Sequence, residues 1–181
     1  MAELIKFSKR ATQALVTAPV EQRFQYLAFS LGGETFAMDI RSIKEVIQFG
    51  GLTEVPLMPP FIRGVINLRG AVVPVVDLCV RFGRPVTEVA RRTCTVILEV
   101  SQGDEFAVLG VLVDNVSEVL EIGESQIEPA PSFGSDIRAE FIAGVGKVGE
   151  KFVILLDVNR VLSVDELAAM TSGRGPAGTL A

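Results

Sequence analysis

The sequence predicts an all-β fold built from two related units, and three observations support this class. Runs of β-branched and apolar residues alternate with short turns marked by glycine or proline from Phe24 onwards. The segments between these runs leave little room for long helices, which is typical of barrels and sandwiches. An internal repeat is also present, because FIRGVINLRGAVVPVVDL (61–78) aligns without a gap with FIAGVGKVGEKFVILLDV (141–158).

The first half of the chain supplies strands and a proline-rich loop. FQYLAFSLGGETFAMDI (24–40) predicts two strands joined at Gly-Gly-Glu, and SIKEVIQF (42–49) predicts a helical turn that enters a strand. LTEVPLMPPF (52–61) contains three prolines and predicts a loop. GAVVPVVDL (70–78) predicts a strand with a bulge or a free edge at Pro74.

The second half repeats the strand pattern after a polar connection, RFGRPVTEVARR (81–92). The further predicted strands are TCTVILEV (93–100), GDEFAVLGVLV (103–113), NVSEVLEI (115–122) and KFVILLDV (151–158). SQIEPAPSFGSDIRAE (125–140) predicts a long loop. A short C-terminal helix is expected over SVDELAAM (163–170), because Ser163 and Glu166 form the capping-box pattern.

The repeat extends upstream and defines the expected organisation. FAMDIRSIKEVI (36–47) matches LGVLVDNVSEVL (109–120) in its apolar pattern, so Glu45 and Val46 correspond to Glu118 and Val119. Each unit is smaller than a domain that folds comfortably alone, so the two are expected to pack together. The expected ranges are a flexible tail at 1–22, a domain at 23–170 and a disordered tail at 171–181. Within the domain the units centre on about 36–90 and about 105–162, with boundaries that can interleave.

Composition excludes several classes of function. The chain has 181 residues, a net charge of −5 and no histidine. An acidic chain without a dense basic stripe argues against nucleic-acid binding. The absence of histidine removes His-ligated metal sites and His-based triads, and lowers the expectation of an enzyme. No run approaches the ~20 apolar residues of a membrane span, and Cys79 and Cys94 are expected to be buried, reduced cytosolic thiols.

Two motifs that suggest chemistry have structural explanations. GVGKVG (144–149) satisfies G-x-G-x-x-G, but a strand follows it instead of a helix, so a hairpin turn is favoured over nucleotide binding. Asp77 and Asp157 end matching strands, which favours capping of the following turn over acid–base catalysis. A small-ligand-binding β-barrel built on Asp77, Asp157 and Lys147 remains an alternative, and it predicts that these groups converge in a polar pocket.

Two sets of residues remain as candidates for docking or for purely structural roles. Arg69, in RGVINLRG (63–70), stands where the second copy has Gly149, so the shared fold does not require an arginine there. It is either a solvated turn charge or a docking determinant. The related apolar residues are either core or the walls of an exposed groove between the units. They are Ile43, Val46, Val116 and Val119.

These motifs together resemble the CheW family of bacterial chemotaxis coupling proteins, over about residues 22–170. The resemblance rests on PFIRGVINLRGAVVPVVDL, FAMDIRSIKEVI, GVLVDNVSEVLEI, QIEPAPSF and FIAGVGKVGEKFVILLDVNRVL. It implies two SH3-like five-stranded β-barrels packed around a shared hydrophobic core, with no catalysis, cofactor or metal. It also implies a scaffold that bridges the cytoplasmic tip of chemoreceptors (methyl-accepting chemotaxis proteins) to the regulatory domain of the histidine kinase CheA.

The resemblance also implies site residues. The implied receptor-binding residues are Ile43, Lys44, Glu45, Gly64, Arg69, Val116 and Val119, with the helical receptor tip in the groove between the barrels. The kinase is expected to contact the hairpin tips and turns of the first barrel, and the candidate kinase-binding residues there are Leu52, Val55, Asn67 and Arg69. We further expect Arg69 to pair with Glu45, although an exposed pair alone contributes only ~0.2–1 kcal/mol.

The resemblance implies partners and a location as well. The protein is expected in the cytoplasm, recruited to membrane-associated receptor arrays, without membrane insertion, nucleic acid or a small-molecule substrate. The residues alone hardly distinguish this role from that of a CheW-like scaffold in another receptor–kinase pathway, such as motility or development.

Overall fold

A computed structural model describes the protein at residues 20–130 and 138–163. One sheet has five strands: β3 (Ile43–Gln48), β4 (Ile62–Leu68), β5 (Ala71–Asp77), β6 (Cys94–Gln102) and β7 (Glu105–Val113). The other has six: β1 (Arg23–Leu31), β2 (Glu34–Asp39), β8 (Asn115–Gly123), β9 (Ile127–Glu128), β10 (Ile142–Val148) and β11 (Lys151–Leu156). The predicted all-β class is therefore confirmed.

Short helices join the strands. α1 (Leu78–Arg81) follows β5 and α2 (Val158–Val161) follows β11, and single 3₁₀ turns occupy Ile40–Ser42, Glu124–Gln126 and Ala139–Phe141. Within the described ranges, none of the helices has the length and apolar character that a bilayer crossing requires. The helix expected over 163–170 lies outside the described residues, except for its first residue.

The two sheets interleave along the chain. Their strand orders are β3-β6-β7-β5-β4 and β8-β1-β2-β11-β10-β9, with parallel pairing only between β5 and β7 and between β11 and β2 in the described chain. The five-stranded sheet is continuous in sequence, but the six-stranded sheet combines β1 and β2 with strands that follow residue 114. The expected ranges of about 36–90 and 105–162 therefore cover only part of each sheet.

The repeat seen in the sequence is reproduced in the hydrogen bonds. The amide of Asp77 donates to the carbonyl of Phe61 at 2.7 Å, and the amide of Asp157 donates to that of Phe141 at 2.8 Å. Both phenylalanines are buried. In each copy the aspartate at the end of the hairpin is therefore tied back to the phenylalanine just before its first strand; Asp77 is the last residue of β5, and Asp157 directly follows β11.

The repeated glycine is explained by a close approach of two backbones. A Cβ at Gly64 would lie 2.5 Å from the carbonyl oxygen of Thr53, and one at Gly144 would lie 3.0 Å from that of Glu128. Glu128 belongs to β9, which pairs with β10, whereas Thr53 forms only an isolated bridge to Val65 in β4. The single bridge is the counterpart of β9, which explains why one sheet has one strand fewer.

A shared hydrophobic core joins the two sheets, as predicted. Its largest cluster combines Phe29 and Phe36 of the six-stranded sheet with Leu98 and Val111 of the five-stranded sheet. Arg81, only 8% exposed, lies within this interface. Its guanidinium carbon is 5.2 Å and 4.9 Å from the ring centres of the repeat-related Phe61 and Phe141.

Candidate docking groove and the Arg69–Glu45 pair

A groove separates an edge strand of one sheet from an edge strand of the other. β3 and β8, which the repeat relates to each other, form its two sides. We call it the inter-sheet groove, and its cavity volume is about 600 Å³. It is lined by Val46, Ile47 and Gln48 of β3, by Asn115, Val116 and Ser117 of β8, and by Arg91, Arg92 and Cys94.

The apolar candidates divide between this groove and the core. Val46 and Val116 line the groove, and Val46 is 40% exposed. Val119, 48% exposed, lies farther along β8, where it pairs with Leu27. Ile43 is partly buried and packs against the main core cluster. The groove and core alternatives therefore both apply, each to different residues.

Side chains alternate along β3 because successive residues of a strand point to opposite faces. Lys44, Val46 and Gln48 are exposed, whereas Ile43, Glu45 and Ile47 are partly buried. The exposed face of β3 therefore offers a cation, an aliphatic side chain and an amide in sequence. The sequence presents Val46 only as a residue of either the core or a groove wall. The alternation along an edge strand is the signal that favours the groove.

Arg69 occupies a backbone conformation that favours glycine. It has φ of +52° and the following Gly70 has +89°, which is the sign pattern of a type I′ hairpin turn. Gly149, its counterpart in the second copy, has φ of +61°. The side chain of Asn67 accepts a hydrogen bond from the amide of Gly70 at 2.8 Å, so Asn67 stabilises the same turn.

The predicted pair between Arg69 and Glu45 is confirmed. An Nη of Arg69 donates to Oε2 of Glu45 at 2.7 Å, with the two side chains 78% and 26% exposed. β3 and β4 are the opposite edge strands of the five-stranded sheet. The pair therefore links β3, which carries Glu45, to the tip of the β4–β5 hairpin, which carries Arg69. The guanidinium forms only this hydrogen bond with the described residues, which leaves most of its five N–H donors open.

A second depression, about 460 Å³ in volume, lies beside the hairpin and contains two of the kinase-binding candidates. We call it the hairpin depression. Leu52 and Asn67 line it, together with Ile47 and Gln48, which also line the inter-sheet groove. Val55 is 38% exposed in the adjoining loop but does not line the depression.

Gly64 is buried beneath the loop that carries Leu52, because its backbone contacts Thr53. Its position gives it a structural role in shaping this loop. It offers no side chain to a partner, so any effect on binding would pass through the loop.

The groups proposed for a small-ligand site do not share a pocket. Asp77 is fully buried and accepts hydrogen bonds from the amides of Cys79 and Thr87, the hydroxyl of Thr87 and the guanidinium of Arg63. This confirms its capping role and occupies its carboxylate.

The other two groups of that alternative lie elsewhere. Asp157 caps α2 by accepting a hydrogen bond from the amide of Arg160 at 3.3 Å. It lines a separate depression whose lining includes neither Asp77 nor Lys147, and Lys147 is exposed on β10. Among residues 20–130 and 138–163, no group of three or more Cys, Asp or Glu side chains could hold a metal ion.

The pKa values of Cys79 and Asp39 are shifted by their surroundings. Burial raises the pKa of the Cys79 thiol, which matches the inert, buried setting expected for it. Hydrogen bonds from the Arg41 side chain hold the pKa of Asp39 below its usual value. Cys94 differs from expectation, because it is only partly buried at the start of β6 and lines the inter-sheet groove.

Two interleaved β-sheets around one core, with a groove of mixed apolar and polar lining between their edge strands, define a small β-sheet binding module. The sequence model of the CheW-like domain matches residues 25–166. The chain belongs to the CheW family.

Individual relatives agree with this assignment. The chemotaxis protein CheW of Klebsiella aerogenes is 37% identical over 144 residues, which cover 80% of this chain and 84% of the relative. The chemotaxis protein CheW of Rhizobium meliloti is 32% identical, over 80% of this chain and 91% of the relative. The crystal structure of the scaffolding protein TtCheW from Thermoanaerobacter tengcongensis superposes with a TM-score of 0.70 at 32% identity, covering 81% of this chain and 90% of that one.

Proposed function

We propose that this protein is a non-catalytic adaptor that couples the cytoplasmic tips of chemoreceptors to the regulatory domain of the histidine kinase CheA. Membership of the CheW family and the names of the similar proteins support the chemotaxis role. The inter-sheet groove carries the proposal, because it provides an exposed surface for a partner. The protein acts in the cytoplasm at membrane-associated receptor arrays.

The inter-sheet groove is the proposed receptor site. A helix can place an apolar stripe in such a groove, with anchors spaced at i, i+3 or i+4, and i+7. Val46 and Val116 supply apolar contacts within the groove, and Val119 extends this surface along β8. Lys44 stands on the exposed face of β3 beside Val46, where it can contact a polar residue of the same helix.

The hairpin depression and Arg69 form the proposed kinase site. Leu52 and Asn67 line the depression, and Val55 projects from the loop next to it. Arg69 has unused donors, and a planar guanidinium can hold a carboxylate through two hydrogen bonds. The two depressions share Ile47 and Gln48, so a receptor and a kinase bound to them would lie side by side.

Co-sedimentation with receptor-containing membranes, with and without the kinase, tests the proposal. Val46→Asp together with Val119→Asp should weaken receptor binding at least about tenfold, because a carboxylate would be desolvated against the receptor helix. Phe106→Asp with Phe152→Asp is the matched control, since these side chains are 69% and 61% exposed and lie outside both depressions. Equal binding by both variants and the wild-type protein would refute the groove as the receptor site.

A further inference from the structure

Arg91 and Arg92 give the inter-sheet groove a positive charge within an acidic protein. The chain has a net charge of −5, yet the lining contains two arginines and no carboxylate. Both arginines are exposed, and neither guanidinium forms an ion pair or hydrogen bond with the part of the chain that the structure describes. Their charge is therefore available to a partner in the groove.

The arginines are presented by a turn that several hydrogen bonds hold in place. The amide of Thr93 donates to the carbonyl of Ala90 at 3.2 Å, and the Thr93 hydroxyl accepts from the amide of Ala90 at 2.8 Å. Thr93 is 1% exposed, and its carbonyl accepts a hydrogen bond from the amide of Phe49, just after β3. A charge held on a fixed backbone loses less entropy when a partner binds.

The nearby acidic side chains lie outside the groove lining. Glu88 and Asp114 line a separate depression with Ala90 and Thr93, and Asp114 accepts a hydrogen bond from the amide of Gly32 at 2.8 Å. Glu118 follows the groove-lining Ser117 in β8 but is not part of the lining. Glu121 lies farther along the same strand and pairs with Arg23 at 3.5 Å. The groove therefore combines apolar side chains from both edge strands with two cations, and its lining contains no carboxylate.

We propose that Arg91 and Arg92 select receptor helices that carry an aspartate or glutamate beside the apolar stripe that occupies the groove. This inference rests on the proposed function and adds a charge requirement to it. Opposite charges across an interface suppress wrong partners and speed association, and both effects weaken as salt is added.

The test uses a soluble cytoplasmic fragment of a chemoreceptor that contains its helical tip. Arg91→Glu with Arg92→Glu should weaken binding of this fragment at least about tenfold at low salt and less at high salt. Lys147→Glu with Lys151→Glu changes the net charge equally, from exposed positions outside the groove, and should leave affinity within about twofold. Equal loss in both double variants would mean that only net charge matters, and would overturn the inference.

A charge exchange identifies the partner residue. One acidic residue of the fragment, when changed to lysine, should weaken binding to the wild-type protein and restore binding to the Arg91→Glu, Arg92→Glu variant. If the Arg91→Glu, Arg92→Glu variant binds the fragment with wild-type affinity while the Val46→Asp, Val119→Asp variant loses binding, the charge requirement is rejected and the proposed groove is kept. Wild-type affinity in both would reject the groove itself. Circular dichroism checks that each variant is folded. Arg91→Gln with Arg92→Gln is a milder replacement, and it should flatten the salt dependence of binding.

Discussion

Arg69 combines an unfavourable backbone conformation with a favourable side-chain contact. A left-handed conformation costs a non-glycine residue about 1–2 kcal/mol, and the second copy avoids this cost with Gly149. The ion pair to Glu45 is largely exposed, so it offsets only part of that cost. The pair with Glu45 therefore does not by itself account for an arginine at this position. A binding role accounts for it, in agreement with Asn67 of the same turn, which lines the hairpin depression.

Replacing Arg69 separates these contributions. Arg69→Gly should leave the free energy of unfolding within about 1 kcal/mol of the wild type, because relief of strain offsets loss of the pair. A double-mutant cycle of Arg69→Ala and Glu45→Ala should give a coupling energy of about 0.2–1 kcal/mol in urea denaturation, and both variants should lose receptor-dependent kinase activation. A coupling energy of zero would contradict a stabilising Arg69–Glu45 pair. Normal kinase activation in both variants would contradict a binding role for these residues.

At the level of elements, each repeated hairpin depends on a glycine over which a neighbouring segment crosses. Gly64 lies under Thr53 in one copy, and Gly144 lies under Glu128 in the other. The crossing residue in the first copy, Thr53, belongs to the loop that carries Leu52 and Val55. The position of this loop, and hence the shape of the hairpin depression, therefore depends on the absence of a side chain at Gly64.

A methyl group at Gly64 should push this loop outward. Gly64→Ala places Cβ 2.5 Å from a backbone oxygen and should destabilise the fold by about 1–3 kcal/mol. Gly50→Ala is the control, because no atom lies within 4 Å of a Cβ added there, and it should change stability by less than about 0.5 kcal/mol. Equal urea midpoints for the two variants would show that the loop yields freely.

The hairpins were predictable because their signals are local. The repeat identified Phe61, Gly64 and Asp77 with their counterparts, and the same alignment singled out Arg69, whose pairing with Glu45 the structure confirms. Sheet membership was not predictable, because β1 joins β8 through residues far apart in the chain. Arg91 and Arg92 appeared only as part of a polar connection, since their groove exists only after β3 and β8 are brought together.

For the whole molecule, Arg81 links the two repeats at equivalent positions. The alignment that pairs Phe61 with Phe141 also pairs Arg81 with Val161, and Nε of Arg81 donates to the carbonyl of Val161 at 3.0 Å. The guanidinium lies between the two related phenylalanine rings. One buried cation therefore helps to fix the orientation of one sheet relative to the other, and with it the geometry of the groove between them.

Removing this cation should weaken the contact between the sheets. Arg81→Met should lower the free energy of unfolding by about 1–3 kcal/mol, because a buried carbonyl loses its donor and two cation–π contacts disappear. Arg160→Met, at a side chain 66% exposed, should change it by less than about 0.5 kcal/mol. Wild-type stability of Arg81→Met in urea denaturation would mean that desolvation of the buried guanidinium cancels its contacts.

The interleaving of the sheets also sets an order of events during synthesis. β1 and β2 are made before the five-stranded sheet, but their outer neighbours, β8 and β11, are made only after it. The five-stranded sheet is contiguous in the chain and can assemble as soon as it emerges. During that interval Phe29 and Phe36 can contact Leu98 and Val111 of the five-stranded sheet but not the later core residues such as Phe141. The hairpin of β1 and β2 therefore keeps part of its apolar surface and its strand edges exposed to aggregation until the later strands are made.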